Sequence, residues 1–280
     1  MEPLAGQVAG HNSLLVHSPT TVAKPCPPTE RTFYDRLFNA SSDNHLDAVR
    51  ALVPRYQGAL PREDPAVAVL ADSTKFTDVL VLDNLVAHLN APCITDIKLG
   101  FVLYDAAADP AKRAKMERLA AATTNGSVGL RFSGMRLATT PPIVHSKEFG
   151  KALTADTIDD GFVELTRGAG SAPRDRALVA RAVATRMRAF LDAIRPVPGH
   201  FVGTSALIVY DASPQPLLEQ SLGEAIAASV RVHWIDFAHS ELLLSDAGSG
   251  ADPQFLRGLE NAVAAAERAA SLFESQCLLA

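Results

Sequence analysis

VLVLDNLVAHLNAPCITDIKLG, residues 79–100, reads as a strand, a connector and a second strand. Asp78–Leu82 is a short apolar, β-branched run bounded by polar residues, the pattern of a buried strand. Leu82–Leu89 reads as a hinge, and Ile94–Leu99 as the next strand. Within that second strand Asp96 and Lys98 are two residues apart, so both side chains leave the same face. An acid and an amine on one face beside a phosphate can orient a hydroxyl and neutralise transferring charge. Taken alone, the same pair also reads as an ordinary exposed ion pair.

Towards the N-terminus, Thr20–Lys24 (TTVAK) is β-prone and ends in a lysine. Pro27 and Pro28 break it, and Thr29 reads as the N-cap of a helix carrying Glu30, Phe33, Tyr34 and Leu37. A strand lysine followed by a helix glutamate is the arrangement in which kinases hold ATP phosphates, although any strand followed by a helix can show it by chance. Ala66–Ala71 reads as a further strand. So the first part of the chain reads as strand-rich with one helix.

Towards the C-terminus, Pro110 opens a helix to about Ala122 containing AKRAKMER. Its Lys112 and Lys115 share a face and suit scattered phosphates. With Glu117 among them, the face reads equally as a solvated one. Thr123–Ser127 reads as a turn, Val128–Leu137 as a strand, and Thr154 as the start of a short helix that Gly161 disturbs. Asp175–Ile194 reads as the longest amphipathic helix, and Pro253–Leu272 as the last. Phe201–Tyr210 and Val230–Phe237 are apolar enough to be central strands. Gly168–Pro173 and Ser245–Ala251 read as flexible loops. In VRVHWIDFAHS, Asp236 ends such a strand, where a nucleotide kinase places a magnesium ligand; alone, it also reads as a turn or cap residue.

Composition narrows the class. The 280 residues are 48% hydrophobic and 20% charged, as in a globular protein. A net charge of -5 argues against a general nucleic-acid binder and requires basic residues to be gathered locally if the substrate is anionic. The 3 cysteines, Cys26, Cys93 and Cys277, give neither a disulfide framework nor a CxxC pair, so a reducing compartment is expected. Met1–His11 lacks the apolar core of a signal peptide, and no run reaches the ~18 apolar residues of a membrane span.

The order of the motifs resembles the inositol polyphosphate kinase family along nearly the whole chain. QVAGH (7–11), TVAK with TERTFY (29–34), LVPRYQG (52–58) and the hinge precede the signature PxxxDxKxG, met here by Pro92, Asp96, Lys98 and Gly100. LYD (103–105), Lys115-Met116, SGMRL (133–137), GTSALIVYD (203–211) and WIDFAH (234–239) follow in the family's order.

The resemblance implies an α+β fold, two-lobed, protein-kinase-like and ATP-grasp-like. It would be a single domain over 1–280 with an N-lobe to about residue 88 and a C-lobe over about 89–280. The C-lobe would carry an inserted helical inositol-binding segment at about 101–125. ATP and Mg2+ are the implied cofactors, with Lys24, Asp83, Leu85, Asp96 and Asp236 binding ATP and Asp236 and Ser205 holding the metal. Asp96 and Lys98 would be catalytic. Lys98, Lys112, Lys115 and His239 would bind substrate, and Arg136 would add positive charge. The implied activity is that of a multikinase acting on inositol tris- and tetrakisphosphates, in a monomer of the nucleus or cytoplasm. A trisphosphate 3-kinase or hexakisphosphate kinase is the alternative within the family, and a non-catalytic kinase-fold interaction protein the alternative outside it. Asp83 stands where Glu is more usual, and the short segment between Asp211 and Val230 leaves no room for the long insertion of many relatives.

Overall fold

The computed structural model describes residues 2, 4, 8, 14–40, 44–61, 64, 76–243 and 250–279. The chain is α+β, built on two antiparallel sheets. The first has the order β1-β2-β4-β3, from β1 (Leu15–Ser18), β2 (Thr21–Cys26), β3 (Tyr56–Ala59) and β4 (Asp78–Asp83). Apolar β4 is an interior strand, as its uninterrupted hydrophobic run requires. Helices α1 (Pro28–Asn39) and α2 (Asn44–Arg50) lie between β2 and β3 in sequence, so among the described residues this part holds two helices where the sequence suggested one. The strand expected at Ala66–Ala71, and Gln7, Gly10 and His11 of the opening motif, lie outside the described residues.

The second sheet has the order β10-β9-β5-β6-β7: β5 (Pro92–Leu99), β6 (Leu130–Leu137), β7 (Ile143–His145), β9 (Ser205–Asp211) and β10 (Arg231–Ile235). Two helices, α3 (Pro110–Ala121) and α4 (Thr124–Val128), connect β5 to β6; the second replaces the expected turn. After β7 come α5 (Lys147–Ala152), α6 (Ile158–Leu165) and α7 (Pro173–Ile194). A two-stranded antiparallel sheet of β8 (Gly199–Val202) and β11 (His239–Leu242), helix α8 (Leu222–Ser229) and helix α9 (Pro253–Leu279) complete the fold. At 27 residues α9, not the 22-residue α7, is the longest helix.

Three expectations are corrected by local geometry. The run Phe201–Tyr210 is two strands in two sheets: Gly203 takes φ +70°, a left-handed turn that a continuous strand cannot contain. Strand β10 is an edge of its sheet rather than central; its apolar residues are covered by α7. Thr29 is not the N-cap of α1. Pro27 occupies that position, and the Thr29 hydroxyl instead donates to the Ala238 carbonyl at 2.6 Å, tying the helix to the chain just beyond Asp236.

One face of the second sheet is core, with Ile97, Leu99, Phe132, Ile208 and Tyr210 packed with Val183, Met187, Leu259 and Val263 of the long helices. Gly161 does not disturb α6 but allows it to approach this face. A Cβ there would lie 2.1 Å from the Phe132 ring. Gly161→Ala is therefore expected to cost about 1–3 kcal/mol through overpacking, read as a lower denaturation midpoint with unchanged slope. The opposite face carries Asp96 and Lys98. Helix α1 is joined to the end of β10 through an aromatic cluster in which Phe33 stacks on Phe237 at 3.9 Å and Trp234 packs edge-on against both. These fully buried rings lock the first sheet's helix to the segment bearing Asp236.

Candidate active site

Lys24, on β2, extends its ammonium between two carboxylates: Glu30 Oε1 at 2.7 Å and Asp236 Oδ1 at 2.7 Å. Glu30 is buried in the first turn of α1 and also accepts the Phe237 N–H at 3.2 Å, so one carboxylate fixes both the lysine and the segment after β10. Burial opposes the Lys24 charge, but the Asp236 and Glu30 carboxylates outweigh it and hold its pKa well above the usual lysine value. Asp236 itself sits at φ +68°, a region that Asp and Asn tolerate better than other residues with a Cβ. Such strain, held in place by the aromatic cluster beneath it, is typical of functional positions. Burial works to raise the Asp236 pKa; Lys24 and Lys98 overcome it and keep the carboxylate below its ordinary range.

From the facing sheet, β5 supplies Asp96, 4% exposed, and Lys98, whose ammonium donates to the Gly203 carbonyl at 2.9 Å. Burial and the Asp236 charge raise the Asp96 pKa to about 6, against the pull of Lys98, Ser205 and Lys24. Ser205 opens β9 directly opposite Lys98. Its hydroxyl lies beside Asp96 but outside hydrogen-bond geometry: Ser205 Oγ and Asp96 Oδ1 are both buried without a partner. A β-bulge on β6 opposite Asp96 and Ile97, with Ser133 as the extra residue, re-aims the side chains at this point.

Five predicted residues, Lys24, Asp96, Lys98, Ser205 and Asp236, thus converge from two sheets. Their oxygens suit a hard cation. Among the described residues no group of three or more His, Cys, Asp or Glu could hold a metal by itself. Magnesium takes one or two carboxylates and completes its shell with waters and substrate phosphates. The orphaned Ser205 oxygen and the ionised Asp236 are the donors such an ion would meet.

The remaining predicted residues lie around this group. Asp83 ends β4 opposite Thr21, and Lys24 lies three residues along the same ladder, roughly 10 Å away at about 3.3 Å per residue. Asp83 accepts from Gln57 Nε2 at 2.7 Å, and Leu85 lies in the turn that follows. His239 contacts Asp105 of the LYD motif through Nδ1. That partner was not anticipated from sequence, although the motif containing it was noticed. The contact fastens the loop before α3 to the start of β11, three residues beyond Asp236. Lys112 and Lys115 lie on α3, a helix with no buried residue, and nothing among the described contacts joins them to the converging group. Arg136 is exposed on β6 opposite Ile94.

Known proteins resemble this chain in sequence and fold. Mouse inositol hexakisphosphate kinase 3 is 29% identical over 197 residues, covering 66% of this chain and 49% of that protein. The inositol polyphosphate multikinase of Saccharomyces cerevisiae is 25% identical over 259 residues, covering 76% of this chain and 73% of that protein. The chain thus spans about half the length of the mouse relative it matches. A crystal structure of the S. cerevisiae inositol phosphate multikinase Ipk2 with ADP and Mn2+ has the same fold, with a TM-score of 0.70 at 23% identity over 89% of this chain and 98% of that one. The sequence profile of inositol polyphosphate kinases matches residues 79–267, more than half of the chain and the whole stretch from β4 to α9 in which Asp96, Lys98, Ser205 and Asp236 lie, and the chain belongs to the inositol polyphosphate kinase family.

Proposed function

We propose that the protein transfers the γ-phosphoryl group of ATP to a hydroxyl of an inositol tris- or tetrakisphosphate. The observation that carries this reading is the Lys24 ammonium, paired with an aspartate 212 residues away and facing the buried Asp96. The nucleotide would lie between lobes divided at about residue 88, its adenine at the Asp83–Leu85 turn and its phosphates at Lys24. Magnesium, held by Asp236 and Ser205, would draw charge from the phosphate oxygens. Asp96 would accept the hydrogen bond, then the proton, of the attacking hydroxyl. As the new O–P bond forms, the bond from the γ-phosphorus to the bridging oxygen breaks and ADP leaves. Lys98 would stabilise the charge on the transferring group.

Incubation of the protein with ATP, magnesium and a panel of inositol tris-, tetrakis- and pentakisphosphates, followed by chromatography of the products, tests the reading. Conversion of the tris- and tetrakisphosphates supports it; no conversion of any acceptor ends it. Hexakisphosphate belongs in the panel, because the 29% identity to a hexakisphosphate kinase favours that acceptor as a second reading. For the basic face of α3, Lys115→Ala is expected to raise the KM for inositol phosphate several-fold with little change for ATP. Equal effects on both would remove Lys115 from the acceptor site.

A further inference from the structure

The antiparallel registers align one residue from each of four strands in a row across the second sheet: Ile235 on β10, Ser205 on β9, Lys98 on β5 and Arg131 on β6. Residues directly opposed in such ladders share a face, so Arg131 stands beside Lys98 on the Asp96 side of the sheet. Asp236 and Ser205 occupy one end of the row and Arg131 the other.

Among the described residues Arg131 has no hydrogen-bond partner. Its Nε is buried without a hydrogen bond, as is the hydroxyl of Ser133, two residues on at the bulge. Among the described residues it forms no ion pair. The carboxylates that act on it are Asp96 and Glu148, and Glu148 is turned to Lys151 at 2.9 Å. A guanidinium offers five donors in a rigid fork. Leaving a buried donor unmade costs on the order of 1–3 kcal/mol, and more for a charged group. An arginine of this kind, without a partner among the described residues and beside a lysine on the Asp96 side of the sheet, has the chemistry of an anion site that takes its acceptor from outside the chain.

We propose that Arg131, with Lys98 beside it, binds a phosphate of the acceptor rather than of the nucleotide. This inference rests on the proposed kinase reaction and names a specificity-determining residue for it. The direction of the row decides between the two anions. The nucleotide phosphates belong at the Lys24, Asp236 and Ser205 end, and Arg131 lies on the far side of Lys98. The ligand class is a cyclitol carrying a phosphate near the reacting hydroxyl, gripped by the guanidinium fork. Arg136 does not fill this role, being exposed and opposite Ile94 at the other end of β6.

The test compares wild type with Arg131→Met, which keeps the stem and removes the fork, and Arg131→Lys, which keeps the charge. Hydrogen bonds to charged groups are worth about 1.5–3 kcal/mol, so Arg131→Met is expected to raise the KM for an inositol tetrakisphosphate about 10- to 100-fold. Direct calorimetric binding of the same compound without ATP should weaken to match, and Arg131→Lys should fall between. The KM for ATP, and the thermal shift produced by ATP with magnesium, should stay at wild-type values in all variants that fold. An unchanged acceptor KM in Arg131→Met or in Arg131→Lys, with wild type active, would overturn the subsite and leave the kinase reading standing. A rise in the ATP KM as large as that for the acceptor would assign Arg131 to the nucleotide and also overturn it. A wild-type protein that phosphorylates no inositol phosphate would remove both.

Discussion

Asp236→Asn is expected to lower turnover by about three orders of magnitude while leaving the protein folded. The substitution removes the charge that would meet magnesium and half of the carboxylate pair around Lys24. Losses of this size are usual when a preorganised electrostatic group is taken from a transition state, and a metal contributes several kcal/mol of such stabilisation. Asparagine is the informative replacement because the residue sits at φ +68°, which Asn tolerates better than Ala. Alanine would add backbone strain to the loss of charge. Lys24 keeps Glu30 at 2.7 Å, so the remaining charge stays paired. The measurement is steady-state turnover beside a thermal melt. Turnover within tenfold of wild type, in a variant that melts normally, would remove Asp236 from the reaction.

The parts of this site that could be read in sequence were those set by alternation and by strand ends. Asp96 and Lys98 fall on one face because a strand has period two, and Asp236 ends an apolar run. Lys24 and Glu30 were legible as a strand followed by a helix, but their link to Asp236 was not, because it closes across 212 residues and depends on how two sheets face each other. The same limit hid Asp105. LYD offers no local cue that its acid meets His239, a contact between a loop and a strand 134 residues apart. Arg131 was invisible for a different reason. Its place beside Lys98 depends on a bulge at Ser133 that shifts the β6 register by one residue, and without that shift Arg131 would not face Lys98. Element boundaries failed where backbone geometry overrides composition: Gly203 splits one apolar run between two sheets, and Pro27 takes the cap position assigned to Thr29. Gly161 read as a helix breaker because its use is steric and lies in a neighbour, Phe132.

Asp96→Asn is expected to stabilise the protein as it inactivates it, and the pH dependence of both effects distinguishes a charged residue of the site from a merely buried one. The Asp96 pKa is raised from 3.8 to about 6, first by burial and then by the Asp236 charge. Between these values the folded chain keeps a proton that the unfolded chain has released, so stability falls as the pH rises through that window. Above pH 6 the cost is complete. A shift of about two units at ~1.36 kcal/mol each makes it on the order of 3 kcal/mol. Asparagine removes the charge but leaves a buried amide in the same place, so the expected net gain at pH 7 is about 1–2 kcal/mol, a rise of a few degrees in Tm. At pH 4 wild-type Asp96 is itself protonated when folded, and the gain should vanish. In the wild-type enzyme kcat/KM should fall about tenfold per pH unit below about 6, as the group that receives the hydroxyl proton is lost. Asp96→Asn should be slower by about 10²–10⁴-fold and should lose that acidic limb. A Tm difference of the same size at both pH values would mean that the carboxylate is not held under strain. An acidic limb kept by Asp96→Asn would move the proton acceptor to another residue.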